Sequence, residues 1–147
     1  MHHRTHIGSP IPPLARLLVG AAALILLAVG LWIFADPIAY QASMGVAIPD
    51  DPTLLSDMRA QAGALLGFAG LLGFATLRPR HIALAAPAGA VLFLAYGLSR
   101  LVAMSVDGLP VGSLVAAASV ELAVGAALAF VAWRMGPAAQ RSSIART

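Results

Sequence analysis

The sequence predicts an all-α integral membrane protein in which four membrane-spanning helices form one bundle. Of its 147 residues, 60% are hydrophobic and 10% are charged, whereas a soluble domain carries about 25% charged residues. Four apolar segments reach the roughly 20 residues that a helix needs to cross a bilayer. Arginine and aspartate also gather on opposite sides of these segments, which gives the bundle an orientation.

The bundle is predicted at residues 13–134, between cytoplasmic tails at residues 1–12 and 135–147 that show no regular pattern. Its spans are predicted at residues 14–34, 53–77, 81–104 and 110–133. The first run is longer than the apolar core of a secretory signal peptide and ends in Trp32 and Phe34, so we expect it to remain in the protein.

The connection between the first two spans is predicted to contain a short helix that lies at the membrane interface. Asp36 can cap its first turn, Pro37 suits its first position and Gly45 can end it. Asp51 followed by Pro52 repeats this start signal. The second spanning helix should therefore begin before the apolar core of its span.

The charged residues predict that both termini lie in the cytoplasm, because arginine accumulates on the cytoplasmic side of a membrane. The arginines on one side are Arg4, Arg16, Arg78, Arg80, Arg134, Arg141 and Arg146. The aspartates, all on the other side, are Asp36, Asp50, Asp51, Asp57 and Asp107. The lack of lysine, with abundant alanine and glycine, favours a GC-rich bacterial genome and so a multi-pass protein of the bacterial inner membrane.

Glu121 lies in the middle of the fourth span, where an acidic side chain costs about 2.5 to 3.5 kcal/mol. About nine large apolar residues each favour insertion of this span by roughly 0.3 to 0.6 kcal/mol, so gain and cost nearly cancel. Ala118 and Gly125 share the helix face of Glu121. Small residues allow close helix packing, so we expect the carboxylate to face neighbouring helices.

Two arginines in other spans also share faces with small or aromatic residues, which predicts a polar cluster of Arg59, Arg100 and Glu121. The candidate polar neighbours are Tyr96, Ser99 and Ser113. The glycines predicted to serve helix packing, or equally self-association, are Gly63, Gly67, Gly70, Gly97 and Gly125.

Two interpretations of Glu121 stay open and have equal weight. It is either a ligand or proton site, as intramembrane ionisable residues often are, or a structural partner of Arg100 that sets the helix register. Arg59 is more typical of an interfacial residue that contacts lipid headgroups or Asp57. The chain has no cysteine, and we expect no metal, no cofactor and no nucleic-acid partner.

Several short motifs resemble one bacterial family of four-helix membrane proteins, domain of unknown function 4345. They are "DP" after the first span, "RAQAG" in the second, "SR" followed by "DGLP", and a single Glu in the fourth. The resemblance runs from about Leu14 to Trp133. It implies four helices and an outer polar site that its members share, made of Arg59, Arg100, Asp107 and Glu121, but it implies no reaction. A likeness to small DoxX-like membrane proteins rests on architecture alone.

The sequence therefore predicts a location more sharply than an activity. The first hypothesis is a non-catalytic accessory subunit or lipid-binding component, with membrane lipids and a larger complex or a second copy of the chain as partners. The second is a membrane enzyme or carrier for a small lipophilic substrate, with Glu121 as acid and base and the arginines as an anion clamp. The third is a proton-coupled transporter that works as an oligomer.

The orientation is testable because the chain has no native cysteine. A cysteine introduced at Ser43 should react with a membrane-impermeant maleimide added to intact cells, whereas one at Ser142 should react only after the membrane is opened. Labelling in the opposite pattern would show that both termini lie outside.

Overall fold

The computed structural model describes residues 12–144, and the side chains of residues 12–135. The helices are α1 (Pro13–Ala35), α2 (Pro37–Ser43), α3 (Pro52–Leu77), α4 (Ile82–Asp107) and α5 (Gly112–Ile144), with a 3₁₀ turn at Pro79–His81 before α4. All except α2 are long and apolar enough to cross a membrane. The all-α prediction and the four candidate spans are thus confirmed, while the cytoplasmic termini and the interfacial position of α2 stay predictions.

The last helix is longer than the sequence pattern indicated. Helix α5 continues to Ile144, although residues 135–147 were expected to form a tail without regular structure. The helix continues through Gly136 and Pro137, which are poor helix formers, into residues 138–141, which are Ala, Ala, Gln and Arg and are all good ones. The other predicted tail, residues 1–12, lies outside the described residues except for Pro12.

The expected caps start the two helices on the side of the aspartates. Asp36 accepts a hydrogen bond from the backbone N–H of Ala39 at 2.9 Å, and Asp51 accepts one from Leu54 at 2.9 Å. A proline follows each aspartate at the first helical position, where the missing N–H costs nothing. Gly45 after α2 has a φ of 82°, a left-handed conformation that glycine adopts without strain.

The bundle consists of two closely packed helix pairs. Helix α1 packs mainly against α3, and α4 mainly against α5, while contacts between the two pairs are fewer. The residues that are most deeply buried where the pairs meet include Val19, Leu72, Ile82 and Leu128. Each pair is a helical hairpin of consecutive spans, so the molecule is two hairpins joined along one seam.

Helices α4 and α5 pack at close range because a glycine on each helix faces a leucine on the other. A Cβ at Gly97 would lie 2.7 Å from Leu122 Cγ, and a Cβ at Gly125 would lie 2.7 Å from Leu94 Cγ. Such separations are far below van der Waals contact, so only glycine fits at either position. These two notches are reciprocal and bring the two backbones together along the middle of the helices.

The other three glycines predicted to pack do not pack within this chain. A Cβ at Gly63, Gly67 or Gly70 would meet nothing within 4 Å, and all three residues are exposed. Helix α3 instead buries the opposite stripe, which contains Ala62, Leu65, Ala69 and Leu72. Both faces of α3 carry small residues, so residue size alone did not distinguish the packed face from the open one.

The two ends of the bundle differ in charge. One end of the bundle, which we call the aspartate end, includes α2 and five aspartates, Asp36, Asp50, Asp51, Asp57 and Asp107. The opposite end, which we call the arginine end, includes Arg16, Arg78, Arg80 and Arg134. The remaining acidic residue, Glu121, lies within α5.

The glycine notches yield a stability prediction. Gly97→Ala and Gly125→Ala should each lower the free energy of unfolding by about 1 to 3 kcal/mol, the usual cost of overpacking, as measured by thermal unfolding in detergent. Gly63→Ala is the matched control, since it adds the same methyl group in open space; it should cost nothing and gain up to about 1 kcal/mol of helix propensity. Equal effects at all three positions would contradict the notch geometry.

Candidate functional site

One ion pair joins helices α4 and α5 near the aspartate end. The Nε of Arg100 donates to both carboxylate oxygens of Glu121, at 2.9 Å to Oε2 and 3.1 Å to Oε1. The side chain of Arg100 is 30% exposed and that of Glu121 is 16% exposed. It is the only salt bridge among the side chains that the structure describes. The carboxylate in the fourth span is therefore neutralised by the arginine that the sequence analysis paired with it.

The glycine notches place this pair. Gly97 precedes Arg100 by three residues on α4, and Gly125 follows Glu121 by four residues on α5, so each notch lies about one turn from a charged residue. Because the backbones are close, Glu121 reaches Nε, the guanidinium nitrogen nearest to the arginine backbone. A wider separation would leave only the tip of the arginine within reach.

This geometry leaves the tip of Arg100 available. Within the described part of the chain its two Nη groups donate no hydrogen bond, since all bonds of this side chain start at Nε. Among the described residues no buried side-chain nitrogen or oxygen lacks a partner, so the Nη groups retain accessible surface. Arg100 thus has one edge fixed by Glu121 and donors that can reach a ligand.

A small pocket opens beside Arg100 at the aspartate end. It has a volume of about 220 Å³. Its wall comes from the last two turns of α4, the turn at Gly108 and the start of α5, and it includes Met104, Asp107 and Leu114. Gly108 makes this tight turn with a φ of 93°. The pocket therefore has an apolar wall and two opposite charges, the Arg100 guanidinium and the Asp107 carboxylate.

Helix α2 brings a phenol to the ion pair. Tyr40 stands edge-on to the Trp32 ring, with 5.6 Å between the ring centroids, and is half-buried. Burial raises the pKa of Tyr40 above its usual 10.0, and the charge of Arg100 opposes that rise. The folded chain thus holds this proton more tightly than the unfolded chain does. The stability that it contributes is complete below about pH 10 and falls as the pH rises through the folded-state pKa.

A hydrogen bond holds the α2 connection against the rest of the bundle. The hydroxyl of Ser113, at the start of α5, donates to the backbone carbonyl of Met44 at 2.7 Å. Ser113 was predicted as a polar neighbour of the cluster, and its hydrogen bond goes to this connection instead of to the ion pair. The link keeps α2, and with it Tyr40, beside Arg100.

The structure does not place Arg59 in the ion pair. Its Nε donates to the backbone carbonyl of Phe34 at 3.2 Å. Phe34 lies in the last turn of α1, where carbonyls have no partner within the helix, so Arg59 ties α3 to the end of α1. The predicted cluster of three charges is therefore a pair, and Arg59 is exposed.

Two other predicted neighbours of the cluster differ in burial. Ser99 is exposed, whereas Tyr96 is partly buried and packs beside the core.

The site offers charge and hydrogen bonds, and the described side chains suggest no metal centre. In residues 12–135 no three His, Asp or Glu side chains come together as metal ligands; His2, His3 and His6 lie outside the described residues. An arginine with available Nη donors binds phosphate or carboxylate well. The arrangement is thus suited to holding a polar group at the edge of an apolar bundle.

Sequence reasoning missed two parts of this site. Tyr40 was not among the expected site residues, because nothing in a linear pattern shows that a short helix folds back over distant residues. Leu94 and Leu122, the side chains that face Gly125 and Gly97, were not singled out either. Their partner glycines carried the available signal, since a glycine that faces another helix predicts a large side chain opposite it.

The fold and the site together define a multi-pass helical membrane protein with a polar pair between its last two spans. The chain belongs to the family described as Domain of unknown function (DUF4345), whose sequence pattern matches residues 14–132. The resemblance seen in the sequence motifs is thereby confirmed. No curated protein and no solved structure matches the chain.

The ion pair yields a second stability prediction. Glu121→Gln and Arg100→Gln should each lower the free energy of unfolding by about 1.5 to 3 kcal/mol, because each removes a charge-assisted hydrogen bond. The double variant should cost less than the sum, with a coupling of about 0.5 to 3 kcal/mol in a thermodynamic cycle. Exchanging the two residues should restore part of the loss.

The matched control for this cycle is Arg59→Gln combined with Glu121→Gln. Arg59 bonds to Phe34 and not to the carboxylate, so these two effects should add within about 0.5 kcal/mol. Strict additivity for Arg100 and Glu121 as well would show that the ion pair contributes nothing to the fold.

Proposed function

We propose that this protein is a non-catalytic component of the bacterial inner membrane that binds a phospholipid headgroup in the pocket beside Arg100. One observation carries the proposal. Glu121 holds Arg100 through Nε, while the Nη donors of Arg100 stay accessible at a pocket that Asp107 also lines. In this role Glu121 is a positioning residue and Arg100 is the binding residue.

The arrangement of the carboxylate favours binding over acid–base catalysis. A general base needs an oxygen within hydrogen-bond reach of the proton that it removes. Both oxygens of Glu121 already accept hydrogen bonds from Arg100, and the pocket is lined by Arg100 and not by Glu121. A ligand in this pocket would therefore meet the arginine and not the carboxylate.

The charges of the pocket favour a zwitterionic headgroup. A phosphate can accept from the Nη groups of Arg100, and a primary ammonium can donate to the carboxylate of Asp107. Phosphatidylethanolamine carries these two groups a few bonds apart. The pocket lies where α4 ends and α5 begins, which suits a headgroup at the surface of the leaflet that faces away from the cytoplasm in the predicted orientation.

The open face of α3 supports a second role, that of an accessory subunit. Gly63, Gly67 and Gly70 lie exposed on one helix, with space around them, and such faces favour close helix association in membranes. We propose that this face contacts a larger complex or a second copy of the chain. Native mass spectrometry of protein released gently from its host membrane should then show a second subunit at fixed stoichiometry, and a lone protomer would contradict this role.

The headgroup proposal is tested with lipid nanodiscs that contain phosphatidylethanolamine and phosphatidylcholine with identical acyl chains. Native mass spectrometry should show preferential retention of phosphatidylethanolamine, because the quaternary ammonium of phosphatidylcholine has no N–H to donate. Asp107→Asn should reduce this preference about threefold to fivefold, since an exposed charge pair contributes up to about 1 kcal/mol.

Two further variants sharpen this test. Ala103→Leu should lower the retention of both lipids because it fills the pocket that Ala103 lines. Asp57→Asn removes a carboxylate from the same end of the bundle but outside the pocket, so it should change nothing. Equal preference in the unaltered protein and in Asp107→Asn would overturn the proposal.

A further inference from the structure

A second concave surface lies at the opposite end of the molecule, on the outside of the α1–α3 pair. It is an apolar groove with a volume of about 690 Å³, within the range of about 300 to 1,000 Å³ that is usual for small-molecule sites. Its rims are leucine side chains that project from the bundle, with Leu17 68%, Leu24 67% and Leu77 74% exposed. One charged residue, Arg16, lines it.

Small residues of the two helices form the floor of the groove. A Cβ at Gly20 would lie 3.2 Å from the Thr76 methyl group, so the helices touch there. At Gly73, which also lines the groove, a Cβ would meet nothing within 4 Å. The lack of a side chain at Gly73 therefore creates open space and serves no packing contact within the described residues.

The dimensions of the groove suit an acyl chain. Its lining residues on α1 run from Pro13 to Leu27, a distance of about 21 Å at 1.5 Å per residue. The hydrocarbon core of a bilayer is about 30 Å thick, so one leaflet is about 15 Å deep. The groove thus runs from the end of the helix through the depth of one leaflet.

The charges at this end suit an anionic headgroup. Arg16 lines the groove where α1 begins, and Arg78 and Arg80 lie in the turn after α3 at the same end. None of the six acidic residues of the chain lies there, because five are at the aspartate end and Glu121 is within α5. A phosphate at the mouth of the groove would meet positive charge alone.

From these observations we infer that the α1–α3 groove is a specific site for one anionic phospholipid. An acyl chain lies along Gly73 between the leucine rims, and the phosphate lies beside Arg16. The alternative occupant is a helix of a second copy of the chain, which the experiment below distinguishes from a lipid. The site is separate from the Arg100 pocket and does not depend on the function proposed for it.

The experiment uses the full chain in nanodiscs that contain phosphatidylglycerol and phosphatidylcholine with identical acyl chains. Native mass spectrometry should show one phosphatidylglycerol retained per protomer. Gly73→Leu should reduce the retained lipid at least fivefold, because the new side chain fills the groove. Arg16→Gln should leave total retention largely intact and reduce the preference for phosphatidylglycerol about threefold to fivefold.

The matched control is Ala83→Leu, which adds a leucine side chain at the same end of the bundle, at an exposed position of α4 outside the groove. It should retain phosphatidylglycerol as the unaltered protein does, and unchanged far-UV circular dichroism checks that all variants fold. Equal retention by Gly73→Leu and the unaltered protein would overturn the inference. A dimer that Gly73→Leu dissociates would overturn it as well and assign the groove to a second copy of the chain. These outcomes concern the α1–α3 groove alone. They stay the same whether or not Asp107→Asn changes the preference for phosphatidylethanolamine at the Arg100 pocket.

Discussion

The pairing of Arg100 with Glu121 is the constraint on which the α4–α5 half of this molecule depends. A carboxylate in the middle of a span is costly unless it has a partner, and the arginine that supplies it lies on the adjacent helix. Contact through Nε requires a short distance between the backbones, and the notches at Gly97 and Gly125 supply that distance. Shape and charge at this interface are therefore linked, since the close approach at the notches brings Glu121 within reach of the Arg100 Nε.

Polar contacts at the aspartate end complement the apolar packing between the hairpins. Arg59 ties α3 to the last turn of α1, and Ser113 ties α5 to the connection that carries α2. The second contact joins residues that are distant in sequence and belong to different hairpins. The aspartate end thus receives cross-links that the leucine and alanine seam does not provide, which explains how a short helix can stay beside the ion pair.

Sequence patterns predicted the features that depend on local chemistry or on bilayer thickness. The spans, the caps at Asp36 and Asp51, and the proximity of Arg100 to Glu121 follow from hydropathy, from hydrogen-bonding side chains and from the cost of a lone charge. The packed face of α3 could not be predicted in this way, because Gly63 and Ala62 are both small residues and the choice depends on the partner helix. The position of Tyr40 and the true partner of Arg59 depend in the same way on the folding of the α2 connection.

The two-hairpin architecture also bears on how the chain enters the bilayer during synthesis. Glu121 lowers what helix α5 gains by partitioning alone, since a charge in the middle of a span offsets part of the apolar contribution. Helix α4 precedes it directly, and residues 108–111 are a connection too short to keep the two apart. We expect the insertion machinery to hold α4 until α5 emerges, so that the two helices leave it together with their charges already neutralised. Assembly of the last two spans is then a single cooperative step of biogenesis.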